Sequence, residues 1–209
     1  RGAAHPMDVV DEHAERIALA QLTPHGKNLE FDTFLLMAHD AAEAPRLVAE
    51  SIGLEDAVRD IAVDIAKARD VLYLGRGTSY PLALEGALKL KEISDIHAEG
   101  YAAGELKHGP IALIEEGLPV IVVMPSPKNS AVLHAKLLSN IREIQARGAI
   151  TIVIAEEGDD TVRPYADHII EMPAVSTLFQ PLLSTIPLQV FAASVARARG
   201  YDVDKPRNL

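Results

Sequence analysis

Apolar positions follow two rhythms along the chain. Between Val9 and Leu22 they recur at helical spacing, marking one or two helices that stop at the turn-forming run Thr23, Pro24, His25, Gly26, Lys27, Asn28. A second helical region extends from about Asp32 to Arg69, with interruptions expected near Pro45 and Gly53. Beyond residue 70 the rhythm changes. Short β-branched runs, VLYLG at 71–75, PVIVVM at 119–124, AITIVIA at 149–155 and DHIIEM at 167–172, alternate with helical patterns at about 80–94, 130–147 and 177–199.

These runs show little polar alternation, as expected of parallel strands buried on both faces, and the helices between them are long enough to serve as crossovers. The body from about residue 55 therefore reads as an α/β layered domain around a parallel sheet. Such sheets bind ligands at the carboxyl ends of their strands, so the loops after Gly75, Met124 and Ala155 are the candidate positions. No internal repeat or low-complexity tract breaks the pattern.

Charge and composition narrow the partners. With 20 basic and 30 acidic residues the net charge is −10, which opposes a general affinity for nucleic acid. The basic residues near the end (Arg197, Arg199, Lys205, Arg207) read as an ordinary solvated helix end. Absence of cysteine excludes disulfides, thiolate metal sites and cysteine nucleophiles, and fits a cytoplasmic protein. No apolar run approaches the roughly 18 residues that cross a bilayer, so no membrane partner is expected. The first residues have no signal-peptide layout, and a start at Arg1 suggests a fragment or a processed chain.

Candidate chemistry gathers between residues 75 and 110. The turn GRGTSYP (75–81) has two glycines of a dinucleotide fingerprint, but Tyr80 stands where the third belongs, so no nicotinamide cofactor is expected. Pro81 likewise spoils a hydrolase elbow around Ser79. Thr78 or Ser79 is instead expected to cap a helix, and a helix start of this kind can hold a phosphate. In the following helix nearly every position is apolar or small, yet Glu85, Lys89 and Glu92 fall within about 60° of one another on a helix of 3.6 residues per turn. This stripe is either a closed ion-pair set at an edge or the wall of a wet cleft, where a carboxylate beside a lysine can act as a general base.

The next segment, HAEGYAAGELKHGP (97–110), opens with the H-x-E half of a zinc deaminase motif, but its cysteine half cannot exist, and no metal is expected. His108, before a Gly-Pro break, either caps a short helix or is a proton-transfer group on a loop.

The blocks LGRGTSYPLALEGALKLKEIS, IHAEGYAAGELKHGPIALIE, PVIVVMPSP and YDVDKPRNL are similar to the isomerase part of the glutamine-fructose-6-phosphate aminotransferase family, also called the glucosamine-6-phosphate synthases. The resemblance is best over 70–209 and weaker over 44–70. It implies a sugar-isomerase (SIS) fold over 44–209, a three-layer α/β/α sandwich, with residues 1–43 an unassigned helical segment. It also implies that this chain is the second of two SIS halves, without the glutaminase domain and the first SIS half. The reaction implied joins fructose 6-phosphate and glutamine-derived ammonia into glucosamine 6-phosphate.

By the same resemblance Glu92 matches the base that moves a proton between sugar carbons, Lys89 a neighbouring active-site residue, and His108 a ring-opening histidine lent to the other subunit of a homodimer. Glu85 matches as part of the charged stripe, and any phosphate pocket around Thr78 and Ser79 is vestigial. The chain stops before the family's imine-forming tail lysine, so the isolated fragment is expected to be inactive. A non-catalytic phosphosugar-binding module and a dimerisation unit are the alternatives.

Overall fold

The computed structural model describes residues 29–207, with side chains from residue 37 onward; the helices expected between Val9 and Leu22 and the turn at 23–28 lie outside the described residues. The chain divides into two compact units, Arg1–Ala44 and Pro45–Leu209, and the sheet belongs wholly to the second. Helix α1 (Leu29–Ile52) runs through Pro45, where an interruption was expected. Proline removes one helical hydrogen bond. Just beyond it Leu47 and Ser51 are both buried, and the Ser51 hydroxyl donates to the Leu47 carbonyl at 2.8 Å, so packing carries the helix onward. The break near Gly53 is present, and α2 spans Glu55–Ile65.

Five strands, β1 (Asp70–Gly75), β2 (His97–Ala102), β3 (Pro119–Val123), β4 (Ile150–Glu156) and β5 (His168–Met172), pair in parallel in the order β2-β1-β3-β4-β5. Helices α3 (Ser79–Ser94), α4 (Ala131–Gln145) and α5 (Gln180–Ala198) occupy the connections, close to their expected positions. Four strands coincide with the β-branched runs. The fifth, β2, has the sequence HAEGYA and was not expected as a strand. It lies at the sheet edge, where polar side chains meet solvent and need no second layer.

Successive strand residues point to opposite faces. Val71 and Tyr73 enter one apolar cluster with α2, α3 and α5, whereas Leu72 and Leu74 enter another with α4. The sheet therefore has an apolar layer on each side, which is why its inner strands show no alternation, and the architecture is the expected three-layer α/β/α sandwich. Two 3-10 turns, Ala103–His108 and Pro110–Leu113, lie on the α4 side, with Leu106 and Ile114 in its cluster. Among the described residues no helix is long and apolar enough to cross a membrane.

Helix α3 leaves the carboxyl end of β1 and returns to the amino end of β2. Its approach depends on Gly75, where an added Cβ would lie 2.1 Å from the Ser79 carbonyl oxygen. The sheet order reverses between β1 and β3, so their carboxyl ends form the switch point at which such sheets open a crevice.

Candidate active site

Helix α3 faces the core with Leu82, Ala83, Gly86, Ala87 and Leu90, while Leu84, Leu88 and Lys91 are exposed. The helix thus has a solvent face, contrary to the near-complete burial its composition suggests. Glu85, Lys89 and Glu92 lie between the two faces, each about one third exposed (35%, 34% and 27%). The Lys89 ammonium donates to Glu92 Oε2 at 2.9 Å and lies 3.9 Å from Glu85 Oε1. The hydrogen bond to Glu92, with its charge and that of Glu85, outweighs the small cost of burial and holds Lys89 above the ordinary lysine range. The stripe is a closed triad at the edge of the core, open to solvent along one side.

The other candidates stand apart from it. Thr78 is the first boundary residue of α3, but neither it nor Ser79 makes the expected side-chain cap. The Thr78 backbone is already helical, so its hydroxyl does not swing back over the free amides. Ser79 is fully buried with no partner for its hydroxyl, and the Leu133 side chain crowds Gly77 beside it. From Thr78 to Glu92 the helix rises about 20 Å, longer than any hexose phosphate. One ligand therefore cannot touch both within one chain.

His108 is exposed (72%), and its Nδ1 lies 2.7 Å from Glu105 Oε2. It terminates a 3-10 turn anchored on the α4 side of the sheet by buried Leu106 and by a 2.8 Å ion pair from Lys107 to Glu143. Glu92 projects from the α3 side. The two elements thus join different apolar layers of the sheet.

The loops at the strand ends are largely closed on themselves. Ser126 accepts from the Lys128 and Asn129 amides at 3.3 and 3.2 Å, and Lys128 pairs with Glu156 at 3.1 Å. Two features went unseen in the sequence. His134 on α4 and Asp159 after β4 form a buried pair at 2.6 Å, and Asp159 also accepts from Thr161. Arg207 pairs with Asp95 at 3.1 Å, returning the last described residue to the end of the helix that carries Glu92. Asp95 adopts a left-handed conformation (φ 56°) as it terminates α3. Among the described residues no group of three or more His, Asp or Glu side chains could hold a metal ion.

The family model of the SIS domain matches residues 64–198, which takes in the whole sheet, α3, both 3-10 turns and α5. The chain belongs to the SIS domain family. The chain is 75% identical over 171 residues to a glutamine–fructose-6-phosphate aminotransferase [isomerizing] of Mycobacterium bovis, an alignment that covers 82% of this chain and 27% of that relative. A relative of the same name from Mycobacterium leprae is 78% identical over 165 residues, covering 79% of this chain and 26% of its own length. The chain thus spans about a quarter of the length of these relatives. Among solved structures, the C-terminal domain of glucosamine-fructose-6-phosphate aminotransferase from Francisella tularensis superposes with a TM-score of 0.74 at 36% identity, covering 82% of this chain and 47% of that one.

Proposed function

We propose that this SIS domain is the second isomerase half of a cytoplasmic glutamine-fructose-6-phosphate aminotransferase, taking part in the conversion of fructose 6-phosphate and glutamine-derived ammonia into glucosamine 6-phosphate. The observation that carries the reading is the triad on α3: a carboxylate held by a lysine on a rigid helix, about one third exposed, in a chain that is 75% identical over 171 residues to a relative of that name. Glu92 is the base that moves a proton between adjacent sugar carbons. Lys89 fixes its position, and Glu85 fixes Lys89. His108 exchanges a proton with the ring oxygen during opening.

Glu92 and His108 come from elements on opposite faces of one sheet, and on this reading the sugar meets both when a second copy supplies the histidine. The exposure of His108 suits such a loan, because its ring is presented outward rather than into its own core. Thr78 and Ser79, at the far end of α3, take no part in that site. In the intact enzyme Glu92→Gln should lower glucosamine 6-phosphate synthesis by about a hundredfold or more while glutamine hydrolysis continues. Synthesis unchanged by the substitution would remove Glu92 from the role.

A further inference from the structure

A basic concavity lies on the α4 side of the sheet, away from the α3 triad. It encloses about 230 Å³ between Arg76 of the β1–α3 turn, Gly104 and Lys107 of the first 3-10 turn, and Lys136, Ser139 and Asn140 of α4. The chain as a whole carries a net charge of −10, yet three cations from three separate elements converge here. The one carboxylate in the wall, Glu143, is taken up by Lys107. Lys136 and Ser139 have no side-chain partner among the described residues.

The site is also built in advance. The Arg76 guanidinium donates to Oδ1 of Asn140 at 3.3 Å, and Asn140 is only 7% exposed. Gly104 leaves room for that guanidinium: a Cβ there would lie 2.9 Å from Arg76 Nη2. Holding a charged fork in place before a ligand arrives lowers the ordering cost of binding.

We infer that this concavity binds a dianionic phosphate, either free phosphate or the phosphate of a small ester. A planar carboxylate would satisfy the guanidinium fork alone. Donors arriving from three directions, with a hydroxyl among them, suit a tetrahedral dianion, and the volume leaves room for a small organic group. Gly104 and Lys107 share a turn with His108, so the bound anion ties the histidine-bearing turn to α4. The existence of this site does not depend on the enzymatic role proposed above.

The test is a backbone amide NMR titration of the 209-residue chain in chloride buffer at constant ionic strength, with inorganic phosphate in one arm and fructose 6-phosphate in the other. Saturable shifts are expected at Gly104, Lys107, Ser139 and Asn140. Lys136→Gln, on an exposed side chain whose loss leaves the fold intact, should weaken phosphate binding about fivefold. Arg76→Gln should weaken it further, and Lys128→Gln should leave it unchanged. Tighter binding of the sugar ester at these same amides identifies an ester as the ligand, and equal or weaker binding identifies free phosphate. Shifts that never saturate in either arm, or that saturate alike in wild type, Lys136→Gln and Arg76→Gln, overturn the site. Glu92→Gln should not alter phosphate binding here, so failure of this site and failure of the proposed activity are read separately.

Discussion

At the scale of single residues, Lys89 is the group through which the triad can be watched. Its pKa is raised mainly by the hydrogen bond to Glu92, with further charge from Glu92 and Glu85. A lysine raised in the folded state contributes stability that is complete below the unfolded pKa of about 10.4 and is lost as pH climbs through the folded value. The triad should therefore stay intact through neutral pH and loosen only above about pH 10. Side-chain NMR of Lys89 should show its titration shifted down toward the ordinary lysine range in Glu92→Gln; an unmoved titration would mean that the pair is not formed in solution.

His134 offers a stability test of the same kind. Its partner Asp159 is 2% exposed, so removing the imidazole strands a buried carboxylate. His134→Ala should cost about 2–3 kcal/mol by urea unfolding, and Asp159→Asn in the same chain should recover part of that loss. A cost below about 0.5 kcal/mol, the level of an ordinary surface change, would show that the pair bears little weight.

The charged triad was legible because one helix carries all three residues, and helical spacing alone fixes which of them share a face. The His134–Asp159 pair was not, since its two members come from different elements and only the fold brings them together. For the same reason the sequence gives no hint of the Arg76–Asn140 bond across the basic concavity.

At the scale of elements, α3 depends on small residues where it crosses the sheet. A Cβ on Gly86 would lie 2.7 Å from the Tyr73 ring and 2.8 Å from Leu188 on α5, both in the core. Alanine at position 86 gains about 1 kcal/mol of helix propensity, but it must push apart β1, α3 and α5. Gly86→Ala should accordingly destabilise the domain by about 1–2 kcal/mol on balance, as read from denaturant midpoints, whereas a stabilised variant would mean that the crossing is looser than the structure shows.

Inner strands were visible as β-branched runs because both of their faces are buried. Edge strand β2 was hidden by its His97, Glu99 and Tyr101, which sit where only one neighbour pairs with it. There the Tyr101 hydroxyl donates to Glu99, and His97 lies 3.0 Å from Asp70 and 3.4 Å from Glu99, a polar network that reads in sequence like a loop. Pro45 misled in the opposite direction. Proline's local penalty was outweighed by the burial of Leu47 and Ser51 within the next two turns.

At the scale of the whole molecule, the arrangement of layers decides how the chemistry can be assembled. Crossover α3 packs on one face of the sheet and the 103–118 crossover on the other, so the elements that carry Glu92 and His108 in one chain belong to opposite layers. No sequence pattern reveals that separation, since which face a crossover covers follows from strand order. The proposed function therefore calls for a composite site shared by two copies: a twofold axis would create two equivalent sites, each taking Glu92 from one subunit and His108 from the other.

Subunit mixing tests this claim most directly. Glu92→Gln and His108→Ala subunits of the intact enzyme, each expected to be inactive alone in glucosamine 6-phosphate synthesis, are dissociated, mixed in equal amounts and reassociated. Half of the dimers are then mixed, each with one doubly altered and one intact site, so synthesis should return to about a quarter of the wild-type rate. A mixture as inactive as its two parents would place Glu92 and His108 in the same subunit's site and contradict the account.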